Sequence, residues 1–175
     1  MTKQYCLSRP YVNGEWTWTW YSIWDITHDT QSEYEYWEKE FVEMYLSFFD
    51  YFSINKRCVI TFGINFELKY LKSKIISNKE IKNSVDYMLK ILRKNIENVS
   101  TRELEFLFKC AIRGFCHISL VDLFSNARLI PTDEGLNYYL YLENDLLLNK
   151  INIPKAIQIE FLGLESLYAG EGFDS

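Results

Sequence analysis

The chain has 175 residues and carries 24 acids against 19 bases, a formal net charge of −5. Apolar residues make up 48% and charged residues 25%, while Pro and Gly number only 3 and 7, so linker-like, collagen-like and low-complexity classes are excluded. The acidic balance argues against nucleic acid or anionic membrane as a default partner, and the 17% aromatic content is the unusual figure.

In chain order, the first signal is the Asn13-Gly14 pair, a strong hairpin signature. After it Trp16, Trp18 and Trp20 alternate with Thr17 and Thr19, which predicts a strand with the tryptophans on one face. Ser32 and Glu35 have the spacing of a capping box, so a helix is expected from there to about Phe52. Its apolar stripe is Tyr34, Trp37, Phe41, Met44, Tyr45, Phe48 and Phe52, with Glu35, Lys39, Glu40, Glu43 and Asp50 on the other side. A second apolar row, Val42, Leu46 and Phe49, demands either a second packing neighbour or a partner. Period-two alternation from Cys58 to Tyr70 predicts one long strand, bent at Gly63 and paired with the tryptophan strand.

The remainder reads as helical. Ser77/Glu80 and Ser100/Glu103 are two further capping boxes, each followed by apolar residues at helical spacing. The second of these helices is expected to kink at Gly114 and continue from Cys116 to Asn126. Pro131-Thr132 is expected to start a helix with Leu136, Tyr139, Leu140, Leu146 and Leu147 inward, and Asn152-Ile153-Pro154 to start the last one. The expected fold is therefore α+β and mostly helical, with about five helices and a small antiparallel sheet built from the tryptophan-rich strand and the 58–70 strand. No internal repeat or linker interrupts it, so residues 1–175 are expected to form one domain with a frayed tail at about 169–175.

No stretch approaches 18 uncharged apolar residues, and Met1-Thr2-Lys3-Gln4-Tyr5 lacks the basic start of a signal peptide, so a cytoplasmic protein with no membrane contact is expected. Cys6, Cys58, Cys110 and Cys116 form no CxxC pair, and His28 and His117 are the only imidazoles. Reduced core thiols, no metal and no cofactor are the expectation. His28 between Asp25 and Asp29 is the one place where a general base sits beside a carboxylate, which makes a small enzyme one alternative. Cys116 and His117, neighbours on a presumed helix, would diverge by about 100° and not pair. No glycine-rich phosphate loop, HExxH or GxSxG motif is present.

Charge is segregated. Residues 1–55 hold three bases against nine acids, residues 56–115 thirteen against six, and residues 116–175 three against nine. The basic third offers a second alternative, a nucleic-acid-binding module on residues 69–94 using Lys69, Lys72, Lys74, Lys79, Lys82, Lys90, Arg93 and Lys94, although Glu80 and Asp86 interrupt it. All five tryptophans fall within residues 16–37, and 16 of the 30 aromatics within residues 1–52, more than one core face requires. Tryptophan and tyrosine are also the residues that concentrate binding energy at interfaces.

A small, acidic, aromatic-rich chain with carboxylate clusters and no catalytic signature resembles bacterial toxin-immunity proteins, the kind encoded beside contact-dependent growth inhibition or other polymorphic toxins. The resemblance rests on composition and charge layout. It implies a non-enzymatic protein that binds a cognate toxin domain, usually a nuclease, and occludes its basic active-site cleft. Under that reading the partner-binding residues are the helix-face set Glu35, Glu40, Glu43 and Asp50, the C-terminal set Asp133, Glu134, Glu143 and Asp145, and Trp18 as an aromatic anchor.

Overall fold

The computed structural model describes residues 2–10, 31–53, 58–64, 79–94, 98–113, 115–131 and 137–164. Their elements run β1 (Lys3–Ser8), α1 (Gln31–Ser53), β2 (Cys58–Ile64), α2 (Lys79–Leu92), α3 (Thr101–Ile112), β3 (Cys116–Asp122), β4 (Arg128–Pro131), β5 (Tyr138–Leu142), a 3-10 turn (Asp145–Leu147) and β6 (Gln158–Leu164). The strands form one six-stranded sheet in the order β2-β3-β4-β5-β1-β6, antiparallel at every junction. The first strand of the chain thus lies between the last two.

The α+β class holds, but the expectation of about five helices does not. Among the described residues there are three α-helices, and each of the three segments expected to be helical after Gly114 contains a strand instead. In β3, Cys116, Ile118 and Leu120 are buried and alternate with half-buried His117, Ser119 and Val121. In β5, Tyr138, Leu140 and Leu142 are buried and alternate with half-buried Tyr139 and Tyr141. Short apolar runs match both periods, and β-branched and aromatic side chains packed on a pleated surface tip the balance toward strand. The 58–70 strand is realised as Cys58–Ile64, and the strand it pairs with among the described residues is β3, Ile60 lying opposite Leu120 and Phe62 opposite Ile118. The tryptophan-rich strand, residues 65–70, Ser77, Thr132 and the Ser32 side chain fall outside the description, while Pro131, expected to start a helix, instead ends strand β4 opposite Tyr138.

Helix α1 keeps the predicted stripe. Phe41, Met44, Tyr45, Phe48 and Phe52 are buried against the sheet, and Glu35, Lys39, Glu43 and Asp50 are exposed. Its second apolar row meets α3: Val42 is buried, and the Phe49 ring lies 6.5 Å from that of Phe108. The helix is therefore covered on two sides by its own chain, which answers the demand for a second neighbour. Tyr45 joins α1 to α3 and to the sheet. Its ring stacks on Phe108 of α3 at 4.6 Å and 5°, meets Tyr138 of β5 edge-on at 5.2 Å, and its hydroxyl donates to the Ile118 carbonyl of β3 at 3.0 Å. Complete burial pushes the Tyr45 phenol well above its ordinary value, so it stays a neutral donor.

The third capping box forms as predicted, with the Ser100 hydroxyl accepting from the Glu103 amide at 3.3 Å and the Glu103 carboxylate accepting from the Ser100 amide at 3.0 Å. Lys94, just past α2, donates to the same carboxylate at 2.5 Å, and these bonds, that of Lys94 foremost, hold the Glu103 carboxyl down to about 2. The buried thiols of Cys6, Cys110 and Cys116 are unbridged. Burial pushes Cys110 up to about 12 and Cys116 further still, so they serve as small apolar core residues.

Phe108→Ala, which removes the stacking partner of Tyr45, is expected to lower the unfolding free energy by about 3–5 kcal/mol. Ser100→Ala should lower it by about 1 kcal/mol, through the cap alone. Urea titrations of both variants measure the difference, and equal losses would contradict this account of the core.

Candidate partner interface

The α1 carboxylates do not gather into one cluster. Glu35 and Glu43 line an open groove of about 620 Å³ between α1 and α3, together with Glu38, Lys39, Val42, Leu46, Glu105, Lys109 and Arg113. Most charges of the groove are paired. Arg113 grips the buried Glu38 through two bonds of 2.5 and 3.0 Å, Lys109 pairs with Glu105 at 3.1 Å, and Lys39 approaches Glu43 at 3.8 Å. Of these pairs only Arg113–Glu38 ties α3 to α1, across the apolar floor of Val42 and Leu46, while the other two lie within one helix each. Glu40 lies about 140° around the helix from Glu35 and outside the groove. Asp50 is exposed near the helix end, where its carbonyl accepts the Ser53 hydroxyl at 3.2 Å.

The C-terminal set leads to a different place. The pairs Cys58–Asp122, Arg128–Tyr141, Lys3–Leu142 and Lys3–Leu164 bring the ends of β3, β5 and β6 and the starts of β1, β2 and β4 to one end of the sheet. Glu143 and Asp145 sit there, beside the β3–β4 turn. That turn is locked by its own polar side chains. Asp122 Oδ1 accepts from the Phe124 amide at 3.0 Å and Oδ2 from the Ser125 hydroxyl at 2.5 Å, while the Asp122 amide donates to the Ala127 carbonyl at 2.9 Å. Asn126 takes the left-handed conformation, φ 53°, that closes the turn, and its amide donates to Glu143 Oε1 at 3.3 Å.

This construction holds two large apolar side chains out in solvent: Leu123 is 63% and Phe124 75% exposed. Leu146 joins them at 61%, on a 3-10 turn whose Asn144 cap accepts the Leu146 amide at 2.9 Å. One sheet end therefore presents Leu123, Phe124 and Leu146 among the carboxylates Asp122, Glu143 and Asp145. Asp145 is already engaged, accepting from Lys3 and, at 2.5 Å, from the Tyr5 hydroxyl. Lys3 first and Tyr5 second hold its carboxyl below the ordinary value, while burial and then Asp145 push the Tyr5 phenol up to about 12. Asp145 is thus a strut of the β1–β5 corner, and Glu143 is the more exposed carboxylate of the pair.

Leu123 and Phe124 escaped the sequence reading because a helix was carried through them. The signal was nonetheless present in Asp122, Ser125 and Asn126, three turn-forming residues in five positions. Asp133, Glu134 and Trp18 lie outside the described residues, as do His28, Asp25 and Asp29. His117 stands half-buried on a strand, not on a helix, with Cys116 on the opposite face. Of the basic segment, Lys79, Lys82, Lys90 and Arg93 are exposed, Lys94 is paired with Glu103, and Lys69, Lys72 and Lys74 lie outside the described residues. Among the described residues no group of three His, Cys, Asp or Glu side chains could hold a metal, and no helix is long and apolar enough to cross a membrane.

No protein-family model, curated protein or solved structure matches the chain.

A carboxyl held below its ordinary value contributes stability that is complete above that value and is lost as pH falls through it. The wild-type protein is therefore expected to lose stability as pH drops below about 3.8. Lys3→Met, lacking the main cause of the Asp145 shift, should show a shallower acid slope, while Glu143→Gln should follow the wild type. Melting temperatures recorded across pH for the three proteins test the assignment, and a Lys3→Met slope equal to that of the wild type would overturn it.

Proposed function

We propose that this chain is a non-enzymatic binding protein that neutralises a cognate toxin domain, as bacterial immunity proteins do, acting in the cytoplasm and occluding the basic cleft of a nuclease. The observation that carries the reading is the sheet end where Leu123 and Phe124 project from a locked turn beside Glu143. A protruding aromatic held rigidly before binding loses little conformational freedom in a complex, which is the physical profile of an interface anchor. Carboxylates around such an anchor favour a partner whose surface is basic, and a nuclease must present positive charge to phosphate. Glu143 stands at that rim, and the exposed Asp50 belongs to the helix end that leads toward β2, at the same end of the sheet.

The test is direct mixing with the toxin domain encoded beside the gene. A stoichiometric complex and loss of nuclease activity are expected. Phe124→Ala should weaken affinity about thirtyfold, the loss typical of an anchor worth about 2 kcal/mol. Glu143→Lys should slow association and flatten its salt dependence. A toxin left active at saturating protein overturns the reading, and unchanged affinity in both variants removes this surface from it.

A further inference from the structure

Strand β6 is the outer strand of the sheet, and its residues from Gln158 to Leu162 are all exposed. Ile159 is 41%, Phe161 55%, Leu162 46% and Leu164 52% exposed. Register explains how apolar side chains came to be so placed. Ile159 lies opposite Leu7, Phe161 opposite Tyr5 and Leu164 opposite Lys3, so they share the face of the sheet against which the helices pack. Among the described residues, however, the helices pack mainly on β2 and β3, and the β6 side chains continue the core face away from them. The Phe161 ring lies 5.4 Å from that of Tyr5.

Outer strands of soluble proteins are usually guarded by lysine, proline, inward-pointing charge or a covering segment. The sequence Gln158-Ile159-Glu160-Phe161-Leu162-Gly163-Leu164 has no Lys, Arg or Pro and a single charge, Glu160. A register shift opposite Gln4 and Tyr5, with Gly163 at φ 133°, is its one irregularity, and it comes near the end of the strand. Gly163 is required there for its torsion and not for space, since an added Cβ would meet nothing within 4 Å.

We infer that β6 is a self-association edge, pairing antiparallel with β6 of a second copy of this chain to form a continuous twelve-stranded sheet. A two-fold axis at Phe161 overlaps the whole strand and places Glu160 opposite Leu162, so the two carboxylates do not face each other across the junction. The axis is perpendicular to the sheet, which keeps the helices of both copies on the same face. Ile159, Phe161 and Leu164 of each copy then form a shared apolar floor between the two helix layers. Ile159, Phe161, Leu162 and Leu164 together expose on the order of 400 Å² per copy along the strand. With the strand backbone and Gln158 this approaches about 600 Å² per copy, the lower limit for a specific interface, so the dimer is stable at micromolar concentration and dissociates on dilution. The inference is independent of the toxin reading. In the dimer the two Phe124 turns point from opposite ends of the joined sheet, and each remains open to its own partner.

Sedimentation measured across protein concentration decides the matter. The wild type is expected to move from a 21.0 kDa species to twice that mass as concentration rises. Phe161→Lys and Leu162→Lys, each restoring a charged guard, should stay at the single mass with an unchanged circular dichroism spectrum. Hydrogen exchange of the wild type supplies a readout that needs no variant: β6 amides should gain protection with concentration while those of β4 stay constant. A wild type that is monomeric throughout, lysine variants that are folded and still dimeric, or β6 protection that ignores concentration would each overturn the inference.

Discussion

Tyr45 is the residue on which the architecture turns. One phenol ring ties α1 to its neighbour helix and to the sheet: it stacks on Phe108 of α3, meets Tyr138 of β5 edge-on, and donates its hydroxyl to the β3 backbone at Ile118. Phenylalanine could supply the stacking but not the hydroxyl, which gives a buried carbonyl a donor and fixes the height of α1 above the sheet. Stacked and edge-on aromatic pairs are directional, unlike aliphatic contacts, so a core built on Tyr45, Phe108, Tyr138, Phe41 and Phe48 specifies the angle between its layers as well as their burial. The high aromatic content is, in this half of the molecule, a packing device.

The segregated charge has a related explanation. Arg113, from the basic third, reaches Glu38 in the acidic first third, and Lys3 of the first third reaches Asp145 of the last. The remaining described pairs of the basic third, Lys94 with Glu103 and Lys109 with Glu105, are local. Part of the alternation between acidic and basic thirds is thus consumed where the thirds meet. The nearly buried Glu38 illustrates the constraint: left alone beside the core it would be costly, and the bidentate guanidinium is what makes its position tolerable.

Legibility followed the length of each element. Helix α1 is 23 residues long and presents its stripe six times over, and α3 announces its start through Ser100 and Glu103; both were readable. Strands of four to seven residues give a period-two pattern little room to separate from a helical one. Tyr138-Tyr139-Leu140-Tyr141-Leu142 is apolar at every position and satisfies either. β1 was invisible for a different reason: Lys3-Gln4-Tyr5-Cys6-Leu7-Ser8 has almost no pattern of its own, and its burial is imposed by β5 and β6 on either side. Glu143 is a candidate that charge alone singles out, whereas Leu123 and Phe124 stand out only when Asp122, Ser125 and Asn126 are read as a turn.

The two exposed apolar regions differ in origin. Among the described residues the helices make their main sheet contacts with β2 and β3, and the far side of the six-stranded sheet lies away from them. At β6 the uncovered side chains are continuous with the core and lie along a row of backbone groups that can accept another strand, which suits sheet extension. At the β3–β4 turn the exposed pair stands on a polar scaffold of Asp122, Ser125 and Asn126, beside the carboxylate of Glu143. Missing cover accounts for the first, whereas the second is set by the hydrogen bonds of the turn itself.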